Sequence, residues 1–224
     1  MNFKKSHILI VSNNVWTIYK FRKELIIKLI HLGYQVSFLA TLDNQKYVDD
    51  LESIGANFVS IKFDRKGLNP LPDMYSFFLL LVTYLRIKPS LVIHYTIKPN
   101  IYGGLAARLL HIPYVGMITG IGHVFISGSE ILKKIVIKMY KFSLSHSKLV
   151  WFANHSDRDM FVDNNVINRE RAMIVPGSGV DTLHFFPLNN NSNNNKFIFL
   201  MIARLQKPKG IYEYLESAKS LKLK

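Results

Sequence analysis

Cysteine is absent from the 224 residues, which excludes a disulfide framework and any thiolate metal site. A chain without thiols fits a reducing compartment. Acidic side chains are scarce: 15 Asp and Glu stand against 29 Lys and Arg, a formal net charge of +14. That excess favours an anionic partner, and composition alone leaves open whether it is nucleic acid, a membrane surface or a phosphorylated ligand. Part of the lysine, asparagine and isoleucine content is also what an AT-rich genome encodes. Long hydrophobic runs are missing too. The longest uncharged apolar run, MYSFFLLLVTYL at Met74–Leu85, falls well short of the roughly 20 residues that span a bilayer and reads as a core helix. The opening MNFKKSHILIVSN has too short an apolar run for a secretory signal and no small-residue cleavage site. Both shortfalls predict a soluble or peripheral chain. No cluster of His, Asp and Glu has metal-ligand spacing, so no metal is expected.

What is present has a rhythm. Short β-branched apolar runs occur at His7–Ser12, Tyr34–Ala40, Asn57–Phe63, Leu91–Tyr95, Tyr114–Thr119, Lys148–Phe152 and Ala172–Val175. Helix-length segments lie between them, among them Trp16–Leu32, Lys98–His111 and Glu130–Ser147. Strands that are apolar on both faces and alternate with helices predict an α/β fold with a Rossmann-like parallel sheet covered on both sides. Gly33 and Gly55 each follow a helical stretch, as helix-ending glycines do. Within Trp16–Leu32, Ile18, Phe21, Leu25, Leu29 and Leu32 recur at steps of three and four, the stripe of a helix laid on a sheet. The tract NNNSNNN at Asn189–Asn195 is polar and of low complexity, and reads as a linker. Residues 1–188 then form one α/β domain, and 196–224 open another with a buried strand, Lys196–Ala203, and one helix.

The stretch LMIARLQKPKG, Leu200–Gly210, joins that strand to its helix. Arg204 and Lys209 flank the loop, and Gly210 permits a tight turn into a helix with Ile211, Leu215 and Ala218 on one side. Two cations beside a helix N-terminus can clamp a diphosphate, since free N–H groups and the helix dipole add to their charge. An ordinary basic strand–helix loop has the same spacing. Upstream, VPGSGVDTLHFFP (Val175–Pro187) is a turn by its proline and glycines.

These two blocks resemble the retaining family 4 glycosyltransferases of the GT-B fold. The resemblance implies that Arg204, Lys209 and Gly210 hold the diphosphate of a nucleotide-sugar donor. It implies also that Gly177, Gly179, Val180 and Asp181 form the hinge lining the cleft between two Rossmann-like domains. Ser178 stands where the family usually has Asn. FDRKGLNPLP (Phe63–Pro72), HYTIKPNIYGG (His94–Gly104) and MITGIGHVFI (Met117–Ile126) are similar to a subgroup acting on polyprenyl-diphosphate-linked saccharides in capsule, O-antigen and glycoprotein assembly. The activity so implied transfers a sugar, of UDP-N-acetylhexosamine type, to an undecaprenyl-diphosphate-linked saccharide. No metal or other cofactor is implied, and the location is the inner face of a bacterial cytoplasmic membrane.

Ligands of open parallel sheets bind beyond the carboxyl ends of the strands. Asn13 and Asn14 follow the first strand, Arg65 the third, Lys98 the fourth, and Gly120, Gly122 and His123 the fifth. Arg65 and Lys98 are candidate contacts for an acceptor diphosphate, or simple surface charges. His123 is a candidate ligand contact and not an assigned base, while His94 reads as a packing histidine. Lys133, Lys134, Lys138 and Lys141 punctuate an apolar helix that can lie on the sheet and touch anionic headgroups at once. The aromatics fall in core positions and no recognition motif occurs, so nucleic acid is not expected as partner.

The family's donor domain normally adds about five further strands and a Glu-x7-Glu motif, and neither occurs in 196–224. The sequence therefore predicts a C-terminally shortened transferase, inactive alone, or one half of a split enzyme whose donor domain comes from a separate chain. The alternatives are a non-catalytic acceptor- and membrane-binding module and a GT-B UDP-sugar epimerase.

Overall fold

All seven strands expected in the first domain form. The computed structural model describes residues 6–63, 70–122, 125, 128–187, 197–203, 205 and 207–222. The strands are β1 (His7–Asn14), β2 (Gln35–Thr41), β3 (Asn57–Ser60), β4 (Leu91–Tyr95), β5 (Tyr114–Ile118), β6 (Leu149–Phe152) and β7 (Ala172–Ile174). They make one parallel sheet in the order β3-β2-β1-β4-β5-β6-β7. Strand order reverses between β1 and β4, where Val11 lies in register with His94. In doubly wound sheets that reversal opens a crevice at the carboxyl end of the two strands.

The helices are α1 (Val15–His31), α2 (Gln45–Ser53), α3 (Pro70–Ile87), α4 (Gly104–Leu109), α5 (Glu130–Leu144), α6 (His155–Asp163) and α7 (Ile211–Lys222). The expected helix from Lys98 to His111 is split, with a π-helical turn at Pro99–Gly103 ahead of α4. Alternation along β1 sends Ile8 and Ile10 to a core beneath α1 and α2, and Leu9 and Val11 to a larger core beneath α3–α6. Asparagines begin three helices: Asn14, Asn44 and Asn154 each accept a bond from a backbone N–H of the first turn.

Two helices depart from the sequence reading. In α1 the expected Ile18, Leu25 and Leu29 pack on the core, whereas Phe21 and Leu32 are exposed and Val15, Arg22 and Ile26 complete the buried side. Arg22 thus takes a buried position that the expected stripe did not include. In α3, only the side carrying Asp73, Ser76, Leu80 and Tyr84 is buried; Tyr75, Phe78, Val82 and Leu85 are half-exposed or more. An apolar helix on a sheet has one face covered, and α3 is apolar on both. It is therefore a core helix, as expected, but on one side only.

Compact structure divides the chain into Met1–Val180 and Asp181–Lys224. In the second unit the expected strand does not form: Phe197–Ala203 carries no ladder bonds, and Phe197, Ile198, Leu200 and Ile202 are largely exposed. A strand exists only by pairing, and among the described residues nothing pairs with this one. The helix does form. Tyr214 of α7 donates to the Phe199 carbonyl at 2.9 Å, and Met201, Leu205, Ile211 and Leu215 line an apolar hollow of about 400 Å³.

Candidate functional site

The carboxyl ends of β1, β4 and β5 bring together most of the described acceptor-side residues. Asn14 is engaged as the α1 cap, accepting from the Thr17 N–H at 3.3 Å and from the Thr17 hydroxyl. Asn13, one residue earlier, has a buried Oδ1 with no partner among the described residues, as does the Oγ of the fully buried Ser12.

After β4 the backbone turns sharply. Thr96 sits at φ +68°, a left-handed conformation that β-branched residues rarely adopt. Asn100 fixes the turn: wholly buried, its amide donates to the Thr96 carbonyl at 2.7 Å and the Met117 carbonyl at 2.9 Å, tying β4 to β5. Gly116 makes room for it, since a Cβ there would lie 2.7 Å from Asn100 Oδ1. Single π turns of this kind recur at functional sites.

Lys98 is not a bare surface charge. Its Nζ lies 2.6 Å from Asp73 Oδ1, and the Tyr102 hydroxyl donates to Asp73 Oδ2 at 2.8 Å. All three are wholly or partly buried, and burial with the neighbouring carboxylate pushes the Tyr102 phenol well up. Asp73 immediately precedes the uncharged run Met74–Leu85, a placement that does not by itself name its partner.

Gly120 and Gly122 follow β5 with φ of +148° and +79°. A Cβ on Gly122 would meet Ile97 Cδ1 at 2.5 Å, whereas Gly120 faces open space. Gly120 is therefore the glycine whose backbone a ligand can approach, and Gly122 serves packing against the loop after β4. His94 is completely buried, bonded through Nε2 to the Tyr84 hydroxyl at 2.8 Å, and burial drives its pKa down to about 3. It is a neutral packing histidine, as read from the sequence. Arg65 and His123 lie outside the described residues.

The residue that sequence reasoning missed is Arg22. Its guanidinium stacks over the Tyr95 ring at 4.2 Å, and one Nη donates to Ser178 Oγ at 2.8 Å and to the Phe21 carbonyl at 3.1 Å. Ser178 belongs to the expected hinge, whose Gly177 and Gly179 are left-handed at φ +70° and +75°. The readable signal was an arginine in phase with Val15, Ile18 and Ile26.

In the second unit, Asp181 caps a turn by accepting from the Leu183 and His184 N–H groups. Lys207–Lys209 form one 3-10 turn, Gly210 follows at φ +75° and α7 begins, so Lys209 stands exposed beside a helix N-terminus. Arg204 lies outside the described residues.

On α5, Val136, Tyr140 and Leu144 face the sheet. The outward side carries Ile131, Ile135 and Phe142 together with Lys134, Lys138 and Lys141, all exposed. Lys133 is half-covered and paired with Glu130 at 2.7 Å. The apolar content of α5 thus forms two stripes, one for the sheet and one for solvent. Helix α4 packs against both α3 and α5, so the exposed stripes of those two belong to the same layer over one face of the sheet. Among the described residues, no helix is long and apolar enough to cross a membrane.

Residues 7–154 match the glycosyl transferase 4-like family. The chain is 27% identical over 221 residues to the N,N'-diacetylbacillosaminyl-diphospho-undecaprenol alpha-1,3-N-acetylgalactosaminyltransferase of Campylobacter jejuni, a match covering 92% of this chain and 58% of that protein. Among solved structures, a glycosyltransferase from Rickettsia africae superposes with a TM-score of 0.58 at 15% identity, covering 82% of this chain and 45% of that one. The UDP-GlcNAc 2-epimerase of Neisseria meningitidis gives 0.54 at 12% identity, covering 77% and 47%. At such identities the likeness is one of fold, and the chain spans under half of each structure.

Proposed function

The chain belongs to the glycosyl transferase 4-like family, and from that premise we propose that it carries the acceptor-side lobe of a glycosyltransferase. The reaction moves a sugar from a nucleotide-activated donor, of UDP-N-acetylhexosamine type, to a polyprenyl-diphosphate-linked saccharide. One observation carries this reading: the match to the Campylobacter enzyme, whose name specifies a diphospho-undecaprenol-linked acceptor, runs through 92% of the chain. The fold is shared with epimerases as well, so it does not choose between them; the sequence match favours transfer.

In this reading the acceptor saccharide lies across the ends of β1, β4 and β5, against Asn13 and the open backbone at Gly120. The Lys98–Asp73–Tyr102 group then fixes the wall after β4, acting through the positions of its neighbours. Lys209 and Gly210, with Arg204, belong to the donor diphosphate site, and Gly177–Asp181 to the hinge. The enzyme works on the inner face of the cytoplasmic membrane, with the outward stripes of α3 and α5 against lipid. Interleaved lysine and apolar side chains suit that interface, each lysine near an anionic surface contributing about 1 kcal/mol.

The test is co-flotation of the chain with vesicles bearing an undecaprenyl-diphosphate-linked saccharide, against vesicles of equal charge without it. Saturable preference for the saccharide-bearing vesicles is expected. Equal binding to both would remove the acceptor from the proposal.

A further inference from the structure

Among the described residues, Arg22 is the only lysine or arginine that is buried, at 8% exposure. Its stem follows the apolar stripe of α1, where methionine or leucine would continue the pattern of Val15, Ile18 and Ile26. Its partners are neutral: the Tyr95 face, the Phe21 carbonyl and the Ser178 hydroxyl. No carboxylate among the described residues pairs with it, and its Nε has no partner there. Desolvating a guanidinium without a counter-charge costs several kcal/mol. Burial draws its pKa below the usual arginine value, yet an arginine stays charged throughout the physiological range.

The position gives that charge a use. Tyr95 ends β4, and β4 flanks β1 at the reversal of strand order, where a sheet of this topology takes its ligand. Ser12 lies near the end of β1, where the register with β2 shifts after Val11, and its Oγ is buried without a partner among the described residues. An arginine offering Nε and Nη together presents a planar fork that matches two oxygens of one phosphate. The Ser178 hydroxyl holds one tine of that fork at 2.8 Å, on a segment flanked by two left-handed glycines with open space around them.

We infer that Arg22, with the Ser12 hydroxyl, forms a subsite for a phosphate group of a diphosphate-bearing ligand in the crevice between β1 and β4. The choice of a diphosphate rests on the proposed function; the need for an anion rests on Arg22 alone. Donor and acceptor both carry this chemistry, and the subsite recognises what they share.

The experiment is a titration of the full chain, 15N-labelled at arginine, with inorganic diphosphate, following side-chain Nε–H signals. The Arg22 signal is assigned by its loss in Arg22→Lys. A saturable shift of that signal is expected, with affinity lowered about tenfold or more in Arg22→Met, as for loss of a charged hydrogen bond. UDP and geranyl diphosphate then compete for the site: the stronger competitor identifies the source as donor or lipid acceptor, and either result supports the subsite. An Arg22 signal that stays put while other arginines shift would overturn it, whatever Arg22→Met does to folding. Vesicle binding that survives such a result would leave the proposed function standing without the subsite.

Discussion

Acid should unfold the first unit through His94. The ring is sealed between Tyr84 and Tyr114, bonded at Nε2 to the Tyr84 hydroxyl, with Nδ1 buried and unpartnered among the described residues. A second proton would place a charge and an unsatisfied N–H in the core, so burial holds the folded pKa at about 3 against an ordinary 6.5. The unfolded chain therefore binds a proton that the folded chain refuses throughout the window from 6.5 to 3. Stability falls as pH falls through that window, and above 6.5 the term vanishes. Between pH 7 and pH 5 the loss from this one histidine amounts to about 2 kcal/mol, its slope approaching about 1.4 kcal/mol per pH unit. Carboxylates and other histidines titrate too, so the diagnostic quantity is a difference. Urea unfolding followed by tryptophan fluorescence, at pH 7 and pH 5, should show wild type losing about 2 kcal/mol more than His94→Gln. The substitution itself lowers stability at both pH values by disturbing the Tyr84 bond, which leaves the difference intact. Parallel pH dependences in the two proteins would refute the neutral, sealed histidine.

Four further perturbations test the packing and the outward face. Gly103→Ala would set a Cβ 2.6 Å from His94 Cδ2 and 2.8 Å from the Tyr84 hydroxyl, with neither ring free to yield. A cost of about 1–3 kcal/mol is expected in calorimetry, or roughly 2–4 °C per kcal/mol. Gly33→Ala, at φ +87° with open space around it, carries only backbone strain and should cost about 1–2 kcal/mol. Replacing Lys134, Lys138 and Lys141 with Gln should weaken binding to anionic vesicles about a hundredfold at low salt. Phe78→Asp with Val82→Asp should weaken it at any salt. Unchanged flotation of both variants would take the membrane away from this face.

The fold was legible because a parallel sheet buried on both sides writes its strands as apolar runs, and seven such runs gave seven strands. What misled was phase and partnership. In α1 two helical stripes compete, and the one containing Phe21 and Leu32 is the more apolar by composition. Tertiary packing divided them: Ile18, Leu25 and Leu29 of that stripe reach the core, and Arg22 takes a buried place beside them. In α3 no polar face exists to mark the outside, so a half-exposed helix looked like core. Phe197–Ala203 has the residues of a strand, yet a strand is a relation to a neighbour and a sequence states only one party. At the candidate site, positions after strand ends were readable from topology. The Lys98–Asp73 pair was not, because its members are 25 residues apart and meet only when α3 lies beside the π turn.

The core beneath α1 and α2 draws most of its members from Ile8 to Phe58, with Leu91, Ile93, Tyr95, Met117, Trp151 and Ala153 as later arrivals. The stretch His7–Ser60 can thus collapse into β1, β2 and β3 roofed by two helices while β4 is still being made. Until Leu91–Tyr95 emerges, β1, destined for the middle of the sheet, has one open edge, a row of unmet N–H and C=O groups ready to capture a stray strand. Translation that pauses before Leu91–Tyr95 has emerged should therefore yield aggregates seeded along β1, and a chaperone guarding the nascent chain has its task in that interval.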